Sequence, residues 1–217
     1  MLYYQVALMS ASIFITAIIG GIRFNKIDPA YYPIICCFWV ASLNEIISFA
    51  LAVNGCNTVI NNNIYVLIES ILVTIQFKKW GLFNNRQTAF TGIIVLLLIS
   101  WIIENYYNYT ANTIHYYFRI MYSFIIVLMS IHLNTGIIYS WQRNLLSSPV
   151  FRFCIGFIIY FSCKIVVEAF WYYGTNFSIR FLTNVYLILS WINLTVNFIY
   201  TSALLCIRAK KKHSLLF

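Results

Sequence analysis

The sequence predicts an all-α polytopic membrane protein, a bundle of seven transmembrane helices with the N-terminus outside and the C-terminus in the cytoplasm. Three observations predict this fold: the composition, the spacing of the apolar runs and the placement of the positive residues. Of the 217 residues, 62% are hydrophobic and 9% are charged, and the mean hydropathy is +0.81. Soluble domains carry about 25% charged residues, so this chain has too little polar surface to stay in water.

Seven apolar runs, separated by short polar breaks, approach the ~20 residues that a helix needs to cross the hydrocarbon core. The predicted helices cover 3–22, 31–53, 64–80, 88–107, 114–140, 150–173 and 182–207. We expect one transmembrane domain over 1–207, a basic cytoplasmic tail over 208–217, and no separate soluble domain. An alternative with six spans makes the weakest segment, 64–80, a re-entrant one.

The ends of the predicted helices have local signals. No positive residue precedes the first helix, whereas Arg23 and Lys26 follow it, which favours a retained anchor over a cleaved signal peptide. Pro29, Pro33 and Pro149 fall at helix starts, where the missing N–H of proline is harmless. The remaining ends are set by polar breaks at 54–63, 81–87, 108–113 and 174–181.

The positive residues predict the orientation, because Lys and Arg in short loops stay on the cytoplasmic side. Alternate breaks and the C-terminal tail hold eleven of the fourteen: Arg23, Lys26, Lys78, Lys79, Arg86, Arg143, Arg152, Arg208, Lys210, Lys211 and Lys212. Such a rim beside anionic lipid accounts for the net charge of +9, so we expect no direct nucleic acid binding. The lipid bilayer is the expected partner, and a membrane or cytoplasmic protein partner stays open. We expect the protein in a bacterial inner membrane.

Charged residues inside the predicted helices indicate a polar site, because each costs roughly 2.5 to 3.5 kcal/mol in the hydrocarbon. Seven candidate ion- or ligand-binding residues converge on the outer half of the bundle: Asn44, Glu45, Glu69, His115, Arg119, Lys164 and Glu168. Lys164 and Glu168 are i,i+4 neighbours that can pair on one face. The alternative is that such pairs only fix helix register. No cofactor is expected, and the identity of any metal stays open.

Two further patterns concern this region. Glu45 has no cation three or four residues away on its own helix, so we expect burial to favour its protonated form most. The seventh predicted helix carries a polar stripe of candidate cavity-lining residues: Tyr186, Ser190, Asn193, Asn197 and Tyr200. In lipid such a stripe faces the bundle, either as hydrogen-bonding contacts between helices or as the wall of a wet cavity.

Four short motifs resemble those of an uncharacterised family of seven-helix inner-membrane proteins of Gram-negative bacteria, sometimes fused to or beside sensor proteins. The motifs are Leu43-Asn44-Glu45, 64–69 (IYVLIE), Tyr160-Phe161-Ser162 and Trp191-Ile192-Asn193. In size and composition, the chain also resembles the small multispan accessory proteins found beside RNA-targeting CRISPR effectors. The resemblance implies a seven-helix fold and an association with sensors, and it carries over no catalytic residues.

Three functions remain as hypotheses. The first is a non-enzymatic sensor or accessory subunit with an outer polar cavity and a basic cytoplasmic face. The second is a small proton- or cation-linked transporter or channel that uses Glu45, Glu69 and Glu168. The third is an intramembrane enzyme acting on lipid, with a metal held by those carboxylates and His115. No catalytic residue can be assigned from motifs.

Overall fold

The computed structural model describes residues 8–84, 86–107, 116–140, 145–173 and 178–208, and these ranges are helical apart from short connections. Seven helices are long and apolar enough to span a membrane, as the sequence predicts. They are α1 (Ile13–Arg23), α2 (Tyr32–Val53), α3 (Val59–Lys79), α4 (Gln87–Tyr107), α5 (Tyr116–Ser140), α6 (Pro149–Tyr173) and α7 (Ile179–Cys206). Helical turns on both sides of α1 extend its span to Leu8–Lys26.

The third helix begins five residues earlier than the sequence predicts, at Val59 instead of residue 64. The prediction treated the run Asn61–Asn63 as loop because asparagine is polar. In the structure Asn63 is buried, and Asn61 and Asn62 hydrogen-bond to α2. Glu69 is therefore the eleventh of the 21 residues of α3, about 15 Å from the start, near the middle of the helix and not in its first two turns.

The connections explain where the helices end. Gly55 and Gly81 have φ of +68° and +91°, and each lets the chain reverse after the preceding helix because glycine tolerates positive φ. Asp28 caps the short 3-10 turn before α2, where its side chain accepts a hydrogen bond from the N–H of Ala30 at 2.8 Å. Ser178 caps α7 by accepting from the N–H of Phe181.

Consecutive helices pack antiparallel, so the bundle has two distinct ends. We call the end where α1 begins, with the α2–α3 connection, the amino end, and the end where α7 finishes the carboxyl end. The bundle closes through α1 and α7, which are parallel neighbours. Thr16 hydrogen-bonds to Thr201 at 3.0 Å, and Arg23 donates to the carbonyls of Leu204 and Ile207.

The carboxyl half of the bundle interior is filled with aromatic rings. The contacting rings are Phe38, Phe77, Trp80, Phe153, Phe157 and Tyr200, with neighbouring centroids 5.4 to 6.4 Å apart. Gly156 lies directly beneath the Tyr200 ring, and a Cβ there would overlap the ring. A glycine is therefore required for α6 and α7 to approach this closely.

One helix lies outside this closed arrangement. Among the described residues α4 packs mainly on α3 and α5, and 11% of its span is buried inside the protein, against 33–39% for the six other spans. In a membrane most of α4 would contact lipid.

Candidate functional site

A polar cavity of about 290 Å³ lies at the amino end, between α2, α6, α7 and the helical turn just before α1. It is partly open to the surface. Its lining residues are Ser10, Glu45, Ser48, Phe49, Ala52, Thr58, Asn62, Tyr160, Tyr186, Leu189, Ser190 and Asn193. Most of these are hydroxyl, amide or aromatic side chains, and Glu45 is the one charged group among them.

Glu45 stands on α2 about 12 Å from its end at Val53, so it lies well inside the bundle. Ser10 is its hydrogen-bond partner. The ion pairs in the described ranges join other residues, and no basic side chain of those ranges lies within ion-pair distance of Glu45. The carboxylate can therefore accept a proton or a cationic group that enters the cavity.

The rim of the amino-end cavity is an amide cluster formed by α2 and α3. Asn61 donates to the side-chain oxygens of Asn44 at 2.8 Å and of Ser48 at 2.9 Å, and Asn44 donates to Asn62 at 3.3 Å. Asn44 thus belongs to the rim and joins two helices, whereas Asn62 and Ser48 also line the cavity. The sequence reasoning missed these α3 asparagines because it placed them in a loop.

A smaller cavity of about 80 Å³ continues inward from the first. Both are lined by Ser10, Glu45, Tyr160 and Asn193. The inner cavity also touches Glu69, so Glu45 and Glu69 both line it.

Glu69 is held by three side chains from three helices. Tyr65 donates to one carboxylate oxygen at 2.8 Å, Tyr122 donates to the other at 2.7 Å, and the ammonium of Lys164 lies 3.5 Å from that second oxygen. Lys164 also hydrogen-bonds to Tyr122. The Glu69 and Lys164 side chains are only 9% and 6% exposed, so this is a buried and mutually satisfied ion pair.

A second ion pair joins α5 and α6 nearer the amino end. Arg119 donates to Glu168 at 3.1 Å, with side chains 14% and 10% exposed. The predicted pairing of Lys164 with Glu168 along α6 is therefore wrong. Lys164 and Glu168 each pair with a residue on another helix instead. For a side chain of α6 that faces the bundle, the counter-ion across the helix interface is closer than the one on α6 itself.

One remaining charged residue of the described chain stands apart from the cavity. Glu104, at the end of α4, accepts from the N–H groups of Tyr117 and Phe118 at 3.1 and 2.7 Å and so caps the start of α5. His115 lies outside the described residues, so its predicted place in the site has no structural description.

The polar stripe of α7 serves both of the roles left open by the sequence. Tyr186, Ser190 and Asn193 line the amino-end cavity. Asn197 donates to Ser12 at 2.7 Å and accepts through its backbone carbonyl from Thr16, so it binds α7 to the first span. Tyr200, at the lower end of the stripe, packs in the aromatic interior of the carboxyl half.

The predicted carboxylate set for a metal is not assembled. Glu69 pairs with Lys164 and Glu168 pairs with Arg119, so two of the expected ligands are already neutralised. Within the described ranges no three His, Cys, Asp or Glu side chains lie close enough to hold a metal ion.

Comparison with known proteins adds no family to this description. No family model matches the sequence, no curated protein matches it, and no solved structure matches the fold.

Proposed function

We propose that the protein is a non-enzymatic membrane module, a sensor or accessory subunit, that binds a small organic cation in its amino-end cavity. The observation that carries the proposal is the difference between Glu45 and the other acids. Glu69 and Glu168 have cationic partners, and Glu104 and Asp28 cap backbone N–H groups. Glu45 faces a cavity, and its partner among the described residues is the hydroxyl of Ser10.

The lining favours an ammonium group attached to a small organic body. A carboxylate attracts the charge, and the rings of Tyr160, Tyr186 and Phe49 offer aromatic surface to a cation. Hydroxyl and amide groups of Ser48, Asn62 and neighbouring residues could orient the rest of the ligand. The binding of such a ligand would neutralise Glu45 within the bundle.

In this proposal the amino end faces the outside and the basic carboxyl end faces the cytoplasm, where it contacts a soluble partner. Cys56 offers a direct test, because it is exposed on the α2–α3 connection. We expect a membrane-impermeant maleimide to label Cys56 on intact cells or right-side-out vesicles, with a Cys56→Ser variant as the control. Labelling only after the membrane is opened would reverse the orientation.

The ligand class can be tested by thermal unfolding of the purified protein in detergent. We expect tetramethylammonium or n-propylammonium to raise the Tm relative to potassium at the same ionic strength. Glu45→Gln should abolish the increase because the neutral amide cannot attract the cation. Glu104→Gln removes a carboxylate outside the cavity and should keep the increase. An equal response to potassium, or an unchanged response in Glu45→Gln, would contradict the proposal.

Transport of a proton or cation is the second candidate, favoured by the inner cavity that leads from Glu45 to Glu69. The aromatic interior of the carboxyl half would then be the closed side of an alternating pathway. The test is flux into proteoliposomes under a pH or cation gradient. Flux through the purified wild-type protein that Glu45→Gln abolishes would favour transport over sensing. No flux, together with a stable partner recovered from native membranes, would favour the sensor or accessory role.

A further inference from the structure

A separate groove of about 210 Å³ lies at the carboxyl end, where the α3–α4 connection and α4 meet α5. Its lining residues are Leu82, Phe83, Arg86, Ala89, Leu128, Met129 and His132. None of them lines either cavity around Glu45. We propose that this groove binds the headgroup of an anionic phospholipid, with the acyl chain lying along α4 and α5.

The polarity of the groove changes along the membrane normal as that of a phospholipid does. Arg86 precedes α4, and His132 lies in the carboxyl-end half of α5, about 12 Å before its end at Ser140. Leu128 and Met129 stand one helical turn from His132 toward the middle of the bundle, and Ala89 stands one turn along α4 from Arg86. A phosphate would therefore meet basic groups, and the attached chain would meet apolar side chains.

The charge around the groove has one sign. No lining residue is acidic, and the described chain gives neither Arg86 nor His132 an ion-pair partner. Lys78 adds a further basic group, with its ammonium 4.2 Å from the Phe90 ring centre, and Phe90 packs edge-on against Phe83 of the groove wall. Other basic residues of this end, Arg23 and Arg152, already donate to backbone carbonyls.

The loose packing of α4 makes the groove accessible from the membrane. Only 11% of the α4 span is buried, and Leu128 in the groove wall is 50% exposed. Basic pockets between transmembrane helices on the cytoplasmic side are typical binding sites for anionic headgroups. An anionic lipid here would fill the space between α4 and α5 and neutralise the Arg86 charge, which has no ion-pair partner among the described residues.

The test compares lipids on the delipidated full-length protein in detergent. Phosphatidylglycerol should raise the Tm in a dose-dependent way, whereas phosphatidylcholine with the same acyl chains should not. The Arg86→Gln/His132→Gln double variant should need at least about fivefold more phosphatidylglycerol for half the effect, the equivalent of ~1 kcal/mol for the lost arginine charge. Arg208→Gln removes one charge at the same end outside the groove and should keep the wild-type response.

Three outcomes would overturn the proposal. Equal shifts with both lipids would mean that acyl chains alone stabilise the protein. A shift produced by inorganic phosphate without lipid would identify a site for free anions. An unchanged phosphatidylglycerol response in the double variant, whose Tm in phosphatidylcholine reports that it still folds, would place the lipid elsewhere.

Discussion

Buried charged side chains have different kinds of partner on the two sides of the bundle. On the side formed by α3, α5 and α6, every described charged side chain in the interior has a partner on another helix: Glu69 with Lys164, and Arg119 with Glu168. On the side formed by α1, α2 and α7, Glu45 borders a cavity with Ser10 beside it and no cation. The first arrangement joins helices, and the second leaves a charge available to a ligand.

This difference separates structural from functional acids in a membrane interior. A paired carboxylate is already compensated, and removing its partner is costly because a charge is left buried. An unpaired carboxylate beside a cavity contributes little to folding, but it can respond to protons or cations. Mutations in the ion pairs should therefore lower stability more than ligand binding. Mutation of Glu45 should lower ligand binding more than stability.

The largest expected effect on stability is that of Lys164→Ala. The change leaves Glu69 buried without its cation, and we expect a loss of about 3–5 kcal/mol in the free energy of unfolding. Denaturant-induced unfolding in detergent micelles would measure it. The Glu69→Gln/Lys164→Met double variant should recover most of the loss, because the amide oxygen can still accept from one tyrosine and the amide NH2 can donate to the hydroxyl oxygen of the other. A double variant as unstable as Lys164→Ala would mean that the ion pair is not the cause.

Arg119→Ala should have a smaller effect in the same direction. Its pair with Glu168 is more exposed than the buried Lys164 pair, at 14% and 10%, so water can partly solvate the remaining carboxylate. We expect a loss of about 2 kcal/mol, typical of a hydrogen bond between charged groups. Arg180→Ala, at the same end of the bundle and exposed, is the matched control and should change stability by less than about 0.5 kcal/mol.

Asn197→Ala tests the helix contact on the side that holds Glu45. It removes the hydrogen bond to Ser12, and such bonds between membrane helices contribute on average about 0.6 kcal/mol. Stability should fall by roughly that amount. The double variant with Ser12→Ala should be hardly worse than either single variant, because both remove the same bond. Fully additive losses would show that the two residues act independently.

The smallest expected effect on stability is that of Glu45→Gln, below about 0.5 kcal/mol, because the amide can still bond to Ser10 and no ion pair is broken. The same variant should show the largest loss of ammonium response. A strongly destabilised Glu45→Gln protein would remove the contrast between the two sides, since Glu45 would then be a structural residue as well.

The helices could be predicted from the sequence because their apolar runs are long and their breaks are short. The error at the start of α3 has a physical cause: asparagine was treated as a loop residue, but inside a bundle its amide bonds to another helix, here Asn61 to Asn44 and Ser48. Of the acids predicted to converge in the outer half, Glu45 and Glu69 line the inner cavity, whereas Glu104 caps α5 outside it. The pairing of each cation with its acid could not be predicted, because i,i+4 spacing describes one helix and these pairs lie between helices.

The contact between the first and last spans has a consequence for biosynthesis. Ser12, Thr16 and Arg23 find their partners on residues 181 to 185 positions later in the chain. During synthesis these groups emerge before α7 and remain without these partners, next to lipid or to the insertion machinery, until α7 leaves the ribosome. A nascent chain arrested before α7 would expose this polar face within the bilayer, where quality-control proteases could recognise it.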